Sequence, residues 1–384
     1  MSYAFSGGIS ARTASPLELT ALAGPNPGGL VMYRYRPEGL PAGAPLLVIL
    51  HGCGQTAAGL EQGAGWSSLA RRFGFALLAP EQTQANNMGT CFNWFLPGDT
   101  ARGQGEAASI HQMIVETAQE FSSDPARIFI TGLSAGGGMT SAVLAAYPEI
   151  FAAGAIIAGL PHGAAANVHE AMAAMYQVPQ RTAAEWGDAV RAASNHKGPW
   201  PRISVWHGDA DRTVALSNQA AIVAQWRDVH GLTAEPVETH LGQARALRWG
   251  DGSGPVTLEA ITVPGLGHGI PIKPETAGTQ KNAAPDDSCG SPAPFILDAG
   301  ISSSFHIAEF FGLTVPKQKA RIKVVAKLKD AAKAILPVPA PPPELAAPPP
   351  EILPPENPPI SPRLPPIKSV IVKALTAAGL IKKD

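Results

Sequence analysis

The sequence predicts an α/β fold: a mostly parallel central sheet with helices on both faces, followed by a Pro-rich C-terminal tail. Three observations carry this. Continuous apolar runs of strand length at residues 45–50, 75–79 and 151–158 read as strands covered on both faces. They alternate with stretches of helical periodicity at 65–73, 105–121 and 216–230. A β-branched and aromatic run, 127–131, leads at once into Gly132-Leu133-Ser134-Ala135-Gly136 and then into a helix-compatible run, 139–147. In a strand–turn–helix setting, Gly-x-Ser-x-Gly lifts a serine hydroxyl above the sheet edge, with glycines where backbones cross.

The 384 residues, 45% of them hydrophobic, suffice for a sizeable core. The net charge of -1 conceals an asymmetry: residues 314–384 carry 12 Lys and Arg against 5 Asp and Glu, whereas residues 1–313 carry 17 against 25. A mildly acidic body argues against a nucleic-acid partner. Residues 1–20 show no apolar h-region behind a basic n-region, and no apolar run approaches the ~18–20 residues of a membrane span. As written the chain therefore reads as soluble and cytoplasmic, with an extracellular location the alternative. Three cysteines, Cys53, Cys91 and Cys289, are too few and too scattered for a disulfide framework or a zinc site, and leave room for one bridge.

In chain order, residues 30–35 alternate as a half-buried strand does in the antiparallel start of a sheet. The apolar run 45–50 then ends in His51-Gly52-Cys53-Gly54-Gln55. A buried strand running into an HG-type loop is where one donor of an oxyanion hole belongs, so the main-chain N–H groups of Cys53 and Ala135 are the candidate pair. The bland alternative is a turn without chemistry. After a helix at 65–73 and a strand at 75–79 comes a loop, 81–97, rich in Asn, Gly and aromatics and including Asn93 and Trp94. Such a loop beyond a strand suits a substrate wall, although Trp94 equally suits the core. The helix at 105–121 has an apolar stripe through Ala107, Ile110, Ile114, Ala118 and Phe121, with Glu106, Glu116 and Glu120 off it. Residues 164–195 are mostly helical by pattern, as a cap or lateral insertion; His162, His169 and His196 carry no motif there.

A second strong signal is Ile203-Ser204-Val205-Trp206-His207-Gly208-Asp209-Ala210-Asp211, again a strand ending in a Gly-containing loop. An acid beyond a strand is what orienting a catalytic imidazole requires. Asp211 is favoured because the loop has room to turn the later side chain back; Asp209 braces the loop. Strands at 237–241, 247–249 and 256–263 follow, the last ending in Pro264-Gly265-Leu266-Gly267-His268-Gly269, and residues 301–311 form a closing helix. His268 is the base. The order Ser134, Asp211, His268 is that of the α/β-hydrolases and differs from the two common serine-protease orders.

With these residues in place, the chain resembles the polyhydroxybutyrate depolymerase family of esterases, whose relatives include feruloyl and acetylxylan esterases. The resemblance covers residues 28–313 and rests on Leu50 to Gln55, Cys91-Phe92-Asn93-Trp94-Phe95, Gly132 to Met139, Trp206 to Asp211 and Gly267-His268-Gly269. It implies an α/β-hydrolase fold and serine-esterase chemistry without metal or cofactor. Ser134, Asp211 and His268 would be the triad, and Cys53 and Ala135 the oxyanion hole. The substrate would be a 3-hydroxyalkanoate polyester or oligomer, with feruloyl or acetyl esters of plant polysaccharide as the alternative. Secreted members carry a signal peptide, often a polymer-binding domain, and more cysteines; this chain has Ala164 and Ser302 in their stead. A Cys53–Cys91 pair would imply an oxidising compartment.

The sequence divides into an N-terminal extension (1–27), a catalytic domain (28–313), a basic amphipathic segment (314–336), a Pro-rich linker (337–366) and a second basic amphipathic segment (367–384). The linker holds 15 prolines in 30 residues, an extended spacer without a core. Residues 317–336 and 367–384 each set Ile, Val and Leu against Lys, a pattern suited to an anionic membrane, a polymer granule or a partner. The alternative is a solvated appendage, or a helix docked on the body. A protein working chiefly through this tail by surface binding is the reading from another functional class.

Overall fold

In the computed structural model, which describes residues 14–250, 254–274 and 287–314, the sheet begins earlier than the apolar pattern suggests. β1 (Glu18–Thr20) pairs antiparallel with β2 (Val31–Tyr35), so part of segment 1–27 belongs to the sheet. β3 (Leu46–Leu50) leads to α1 (Ala57–Ala64), α2 (Trp66–Phe73), β4 (Ala76–Glu81), α3 (Pro97–Thr100) and α4 (Gly105–Glu120). β5 (Ile128–Leu133), α5 (Ala135–Ala146) and β6 (Ala153–Ile157) follow; α6 (Val168–Tyr176) and α7 (Ala183–Ala192) fill the crossover to β7 (Arg202–Gly208). Next come α8 (Ser217–His230), β8 (Val237–Leu241), β9 (Ala244–Trp249) and β10 (Leu258–Val263). A two-stranded pair, β11 (Ile270–Ile272) with β12 (Ile296–Asp298), and α9 (Ser303–Phe310) complete the elements.

Among the described residues the main sheet runs β1-β2-β4-β3-β5-β6-β7-β10-β9-β8. Its centre, β4 through β10, is parallel, and β1, β2, β9 and β8 are antiparallel flanks. Alternation along β3 explains why the strand is apolar throughout. Leu46, Val48 and Leu50 join a core with Ile110 and Met139, while Leu47 and Ile49 join a second core with Leu60, Trp66 and Phe305. Helices α4, α5, α7 and α8 thus cover one face, and α1, α2 and α9 the other. Each fully buried Leu or Ile side chain contributes roughly 1.5–3 kcal/mol over its exposed state. This is the α/β-hydrolase architecture expected from the sequence.

The strand order reverses at β3: the chain passes from β3 to β4 on one side and to β5 on the other. Loops leaving adjacent parallel strands in opposite directions open a crevice beyond their carboxyl ends, the usual site of ligands in such sheets. The His51 loop and Ser134 lie there. No helix among the described residues is long and apolar enough to cross a membrane. The tail segments 317–336, 337–366 and 367–384 lie outside the described residues.

Candidate active site

Ser134 joins β5 to α5 with φ 56° and ψ -117°, a conformation that non-glycine residues rarely adopt. Its N–H donates to Ile157 O (2.9 Å) and its carbonyl accepts from Gly138 N–H (2.8 Å), so bonds on both sides hold the turn. The flanking glycines are sterically required. A Cβ on Gly132 would run into the Gly136 carbonyl, and one on Gly136 into the carbonyls of Leu50 and His51. The turn brings together three side chains distant in sequence. Ser134 Oγ lies 2.9 Å from His268 Nε2, and His268 Nδ1 lies 2.7 Å from Asp211 Oδ2.

Asp211 is more firmly held than its loop position suggests. Its Oδ1 accepts from the N–H groups of Thr213 (2.8 Å) and Val214 (2.9 Å). Its Oδ2 is also 3.5 Å from Nε2 of buried His207, which donates to Val214 O at 2.8 Å. Burial pushes the carboxyl upward, but hydrogen bonds from His207, His268 and the Val214 N–H outweigh it and hold Asp211 well below the usual carboxylate range. An anion fixed on Nδ1 selects the tautomer whose Nε2 is free to accept the serine proton. Asp209, as expected, braces the loop: its Oδ1 accepts from Gly265 N–H at 2.6 Å.

The loop after β3 is set by His51, a residue the sequence reading placed in a motif without a role. Its Nδ1 donates to Gly52 O (2.8 Å) and its Nε2 accepts from Gln82 N–H (3.0 Å), which defines a neutral ring. Burial drives its pKa down to about 4. Among the described residues, neither the Cys53 nor the Ala135 main-chain N–H donates to a protein acceptor, and both residues line the space at Ser134. A disulfide between Cys53 and Cys91 ties this loop to the one after β4.

That second loop rests on Glu106, which the helical pattern put off the apolar stripe but which is 1% exposed. The first turn of α4 tucks under the loop, and the carboxyl of Glu106 accepts from Asn93 N–H (2.8 Å) and Gln82 Nε2 (2.5 Å). Burial, with neighbouring Asp99 second, raises its pKa to about 8. Asn93 departs from its expected place in the substrate wall. Its Oδ1 is taken up by Asn87 Nδ2 (3.0 Å), and it braces the loop from behind. Trp94 packs against Gly138 and lines the cleft at Ser134.

Two recesses meet at Ser134. An apolar cleft is bounded by Trp94, Phe95, Leu160, Met172, Met175 and Val214. A smaller one lies among Gln55, His268 and Phe295. The α6 methionines and Phe295 escaped sequence reasoning, because neither segment carries a motif and both reach the site only through tertiary packing. A further hollow, lined by Arg202, Arg248, Glu259 and His306, sits at the amino ends of β7 and β10, the edge opposite the site.

Residues 32–254, more than half of the chain, match the family model described as esterase PHB depolymerase. Poly(3-hydroxyalkanoate) depolymerase C of Paucimonas lemoignei is 41% identical over 307 residues, covering 79% of this chain and 72% of that protein. Feruloyl esterase B of Talaromyces stipitatus is 30% identical over 272 residues, 67% of this chain and 73% of that one. Among solved structures, an acetyl xylan esterase from Aspergillus awamori superposes with a TM-score of 0.60 at 26% identity, covering 66% of this chain and 93% of its own. The chain belongs to the esterase PHB depolymerase family and is a carboxylic ester hydrolase.

Proposed function

We propose that the protein is a serine esterase that cleaves 3-hydroxyalkanoate polyester or its oligomers through an acyl-enzyme on Ser134. The observation that carries the reading is the unbroken line from Ser134 Oγ through His268 to Asp211, at 2.9 and 2.7 Å. His268 Nε2 takes the Ser134 proton as Oγ attacks the ester carbonyl carbon, and Asp211 balances the imidazolium. The N–H groups of Cys53 and Ala135 receive the oxyanion, each worth about 2.7–4 kcal/mol of barrier. On collapse the carbonyl–alkoxy bond breaks and His268 returns the proton to the leaving alcohol. A water, deprotonated by the same imidazole, then releases the acid.

The polyester substrate rests on the relative from Paucimonas lemoignei, whose name states that activity. Feruloyl or acetyl esters are the second reading, favoured by the feruloyl esterase B sequence and the acetyl xylan esterase structure. Hydrolysis rates on 3-hydroxybutyrate oligomers, methyl ferulate and acetylated xylan rank these, with oligomers expected to be fastest. Full activity in Ser134→Ala, or labelling of another residue by a sulfonyl fluoride, would overturn the mechanism. Binding of a granule or an anionic membrane through residues 317–336 and 367–384 is a separate proposal. Deletion of residues 315–384 should abolish such binding and spare turnover of soluble ester.

A further inference from the structure

The two recesses at Ser134 differ in one chemically decisive respect. His268 lines the smaller recess and not the apolar cleft. The leaving alkoxide must receive its proton from His268 Nε2, so its oxygen has to lie within hydrogen-bond reach of that nitrogen. The alcohol half of the ester therefore extends along the side that His268 shares with Gln55 and Phe295. Phe295 is fixed there with φ 62°, its ring edge-on to the imidazole at 6.0 Å between centroids, and its carbonyl accepts from Ile270 N–H at 2.8 Å. Non-glycine residues held in this conformation concentrate at functional sites. The acyl half is left with the other side.

That side is graded in stiffness. Its inner boundary, Trp94, Phe95, Leu160 and Val214, is almost fully buried and fixed by core packing. Its outer wall is α6, where Val168, Ala171, Met172 and Met175 follow one helical face into the cleft. Met172 and Met175 are only half-buried, and their unbranched thioethers can re-pack around an occupant.

We infer that the ester is divided at Ser134, its alcohol half lying between Gln55 and Phe295 and its acyl half in the apolar cleft, where Met172 and Met175 set the acyl length accepted. This rests on the serine-esterase reading and adds the side on which specificity is decided.

Two substrate series test it: p-nitrophenyl esters of C2 to C10 acids, and butyrate esters of ethyl, benzyl and naphthyl alcohols. The readout is the ratio of kcat/KM values within each variant, which cancels any loss of folded protein. Met172→Ala and Met175→Ala should raise the octanoate-to-butyrate ratio by about tenfold, the effect of a methylene or two in an apolar pocket. Met175→Phe should lower it. Phe295→Ala should change the ranking of alcohols and leave the acyl ratio within about twofold. An acyl ratio that follows Phe295→Ala instead reverses the assignment, and one indifferent to all three methionine variants removes the acyl group from this cleft. Either overturns the inference while Ser134→Ala stays inactive; residual turnover in Ser134→Ala would instead remove the reading beneath it.

Discussion

Asp211→Asn is the substitution whose outcome the structure constrains most tightly. An amide in place of the carboxylate has one acceptor and one donor end, and the main chain decides which points where. Oδ1 faces two N–H groups, Thr213 at 2.8 Å and Val214 at 2.9 Å, so the amide oxygen must occupy that position. The NH2 group then faces His268 Nδ1, 2.7 Å away, and must donate to it. His268 is driven into the tautomer with its proton on Nε2, where it cannot accept from Ser134. The expected loss is about 10³–10⁴-fold in kcat on p-nitrophenyl butyrate, roughly 4–5 kcal/mol of barrier. Folding should suffer by no more than about 1–3 kcal/mol, because His207 keeps its bond to Val214 O. Steady-state kinetics and urea unfolding on the same sample separate the two effects. A variant within tenfold of the parent would show that tautomer selection by Asp211 is not what limits the rate.

Reducing the Cys53–Cys91 bridge, which spans 38 positions, should cost about 4 kcal/mol of stability by loop-closure entropy and depress kcat through the Cys53 loop; thermal melts and rates with and without a phosphine reductant read both. His51 has a folded pKa of about 4 against about 6.5 unfolded, so the unfolded chain takes the proton first as pH falls. Its stabilising share is complete above about pH 6.5 and is lost by about pH 4, roughly 3 kcal/mol in all. Glu106 runs the opposite way: with its pKa raised to about 8, its share is complete below about pH 4.5 and is lost as pH rises through 8. Urea midpoints of wild type against His51→Gln and Glu106→Gln across pH 4–9 isolate each slope, and parallel curves would refute the assignment. Gly132→Ala should destabilise by about 1–3 kcal/mol and abolish turnover, since its Cβ meets backbone at the Gly136 carbonyl and Thr140 Oγ1 at 2.7 Å; a wild-type melting point would count against the steric argument.

Much of this architecture was legible because parallel strands buried on both faces tend to be apolar throughout, and β3, β4 and β6 announce themselves that way. Ser134, Asp211 and His268 were findable for a related reason: each follows a parallel strand in a Gly-containing loop, and carboxyl ends of parallel strands converge. Other elements left no period to detect. α1 reads Ala-Ala-Gly-Leu-Glu-Gln-Gly-Ala and is held by the Thr56 cap and by packing, while β1, β11 and β12 have three residues each. Glu106 and Asn93 were misplaced because a polar residue's burial depends on what lies over it. The hydrogen bonds from Gln82 and Asn93 to Glu106, and from Gln82 to His51, join three separate elements, and no local window contains them.

The backbone at Ser134 has a thermodynamic corollary. A non-glycine residue at φ 56° and ψ -117° holds on the order of 1–3 kcal/mol of conformational strain that the surrounding bonds must counteract. Glycine would relieve part of it, so Ser134→Gly should melt higher than the wild type while turning over nothing. The fold is most robust in a form that does no chemistry, and only selection for turnover keeps a hydroxyl at a position where the sheet would be better served by a hydrogen atom.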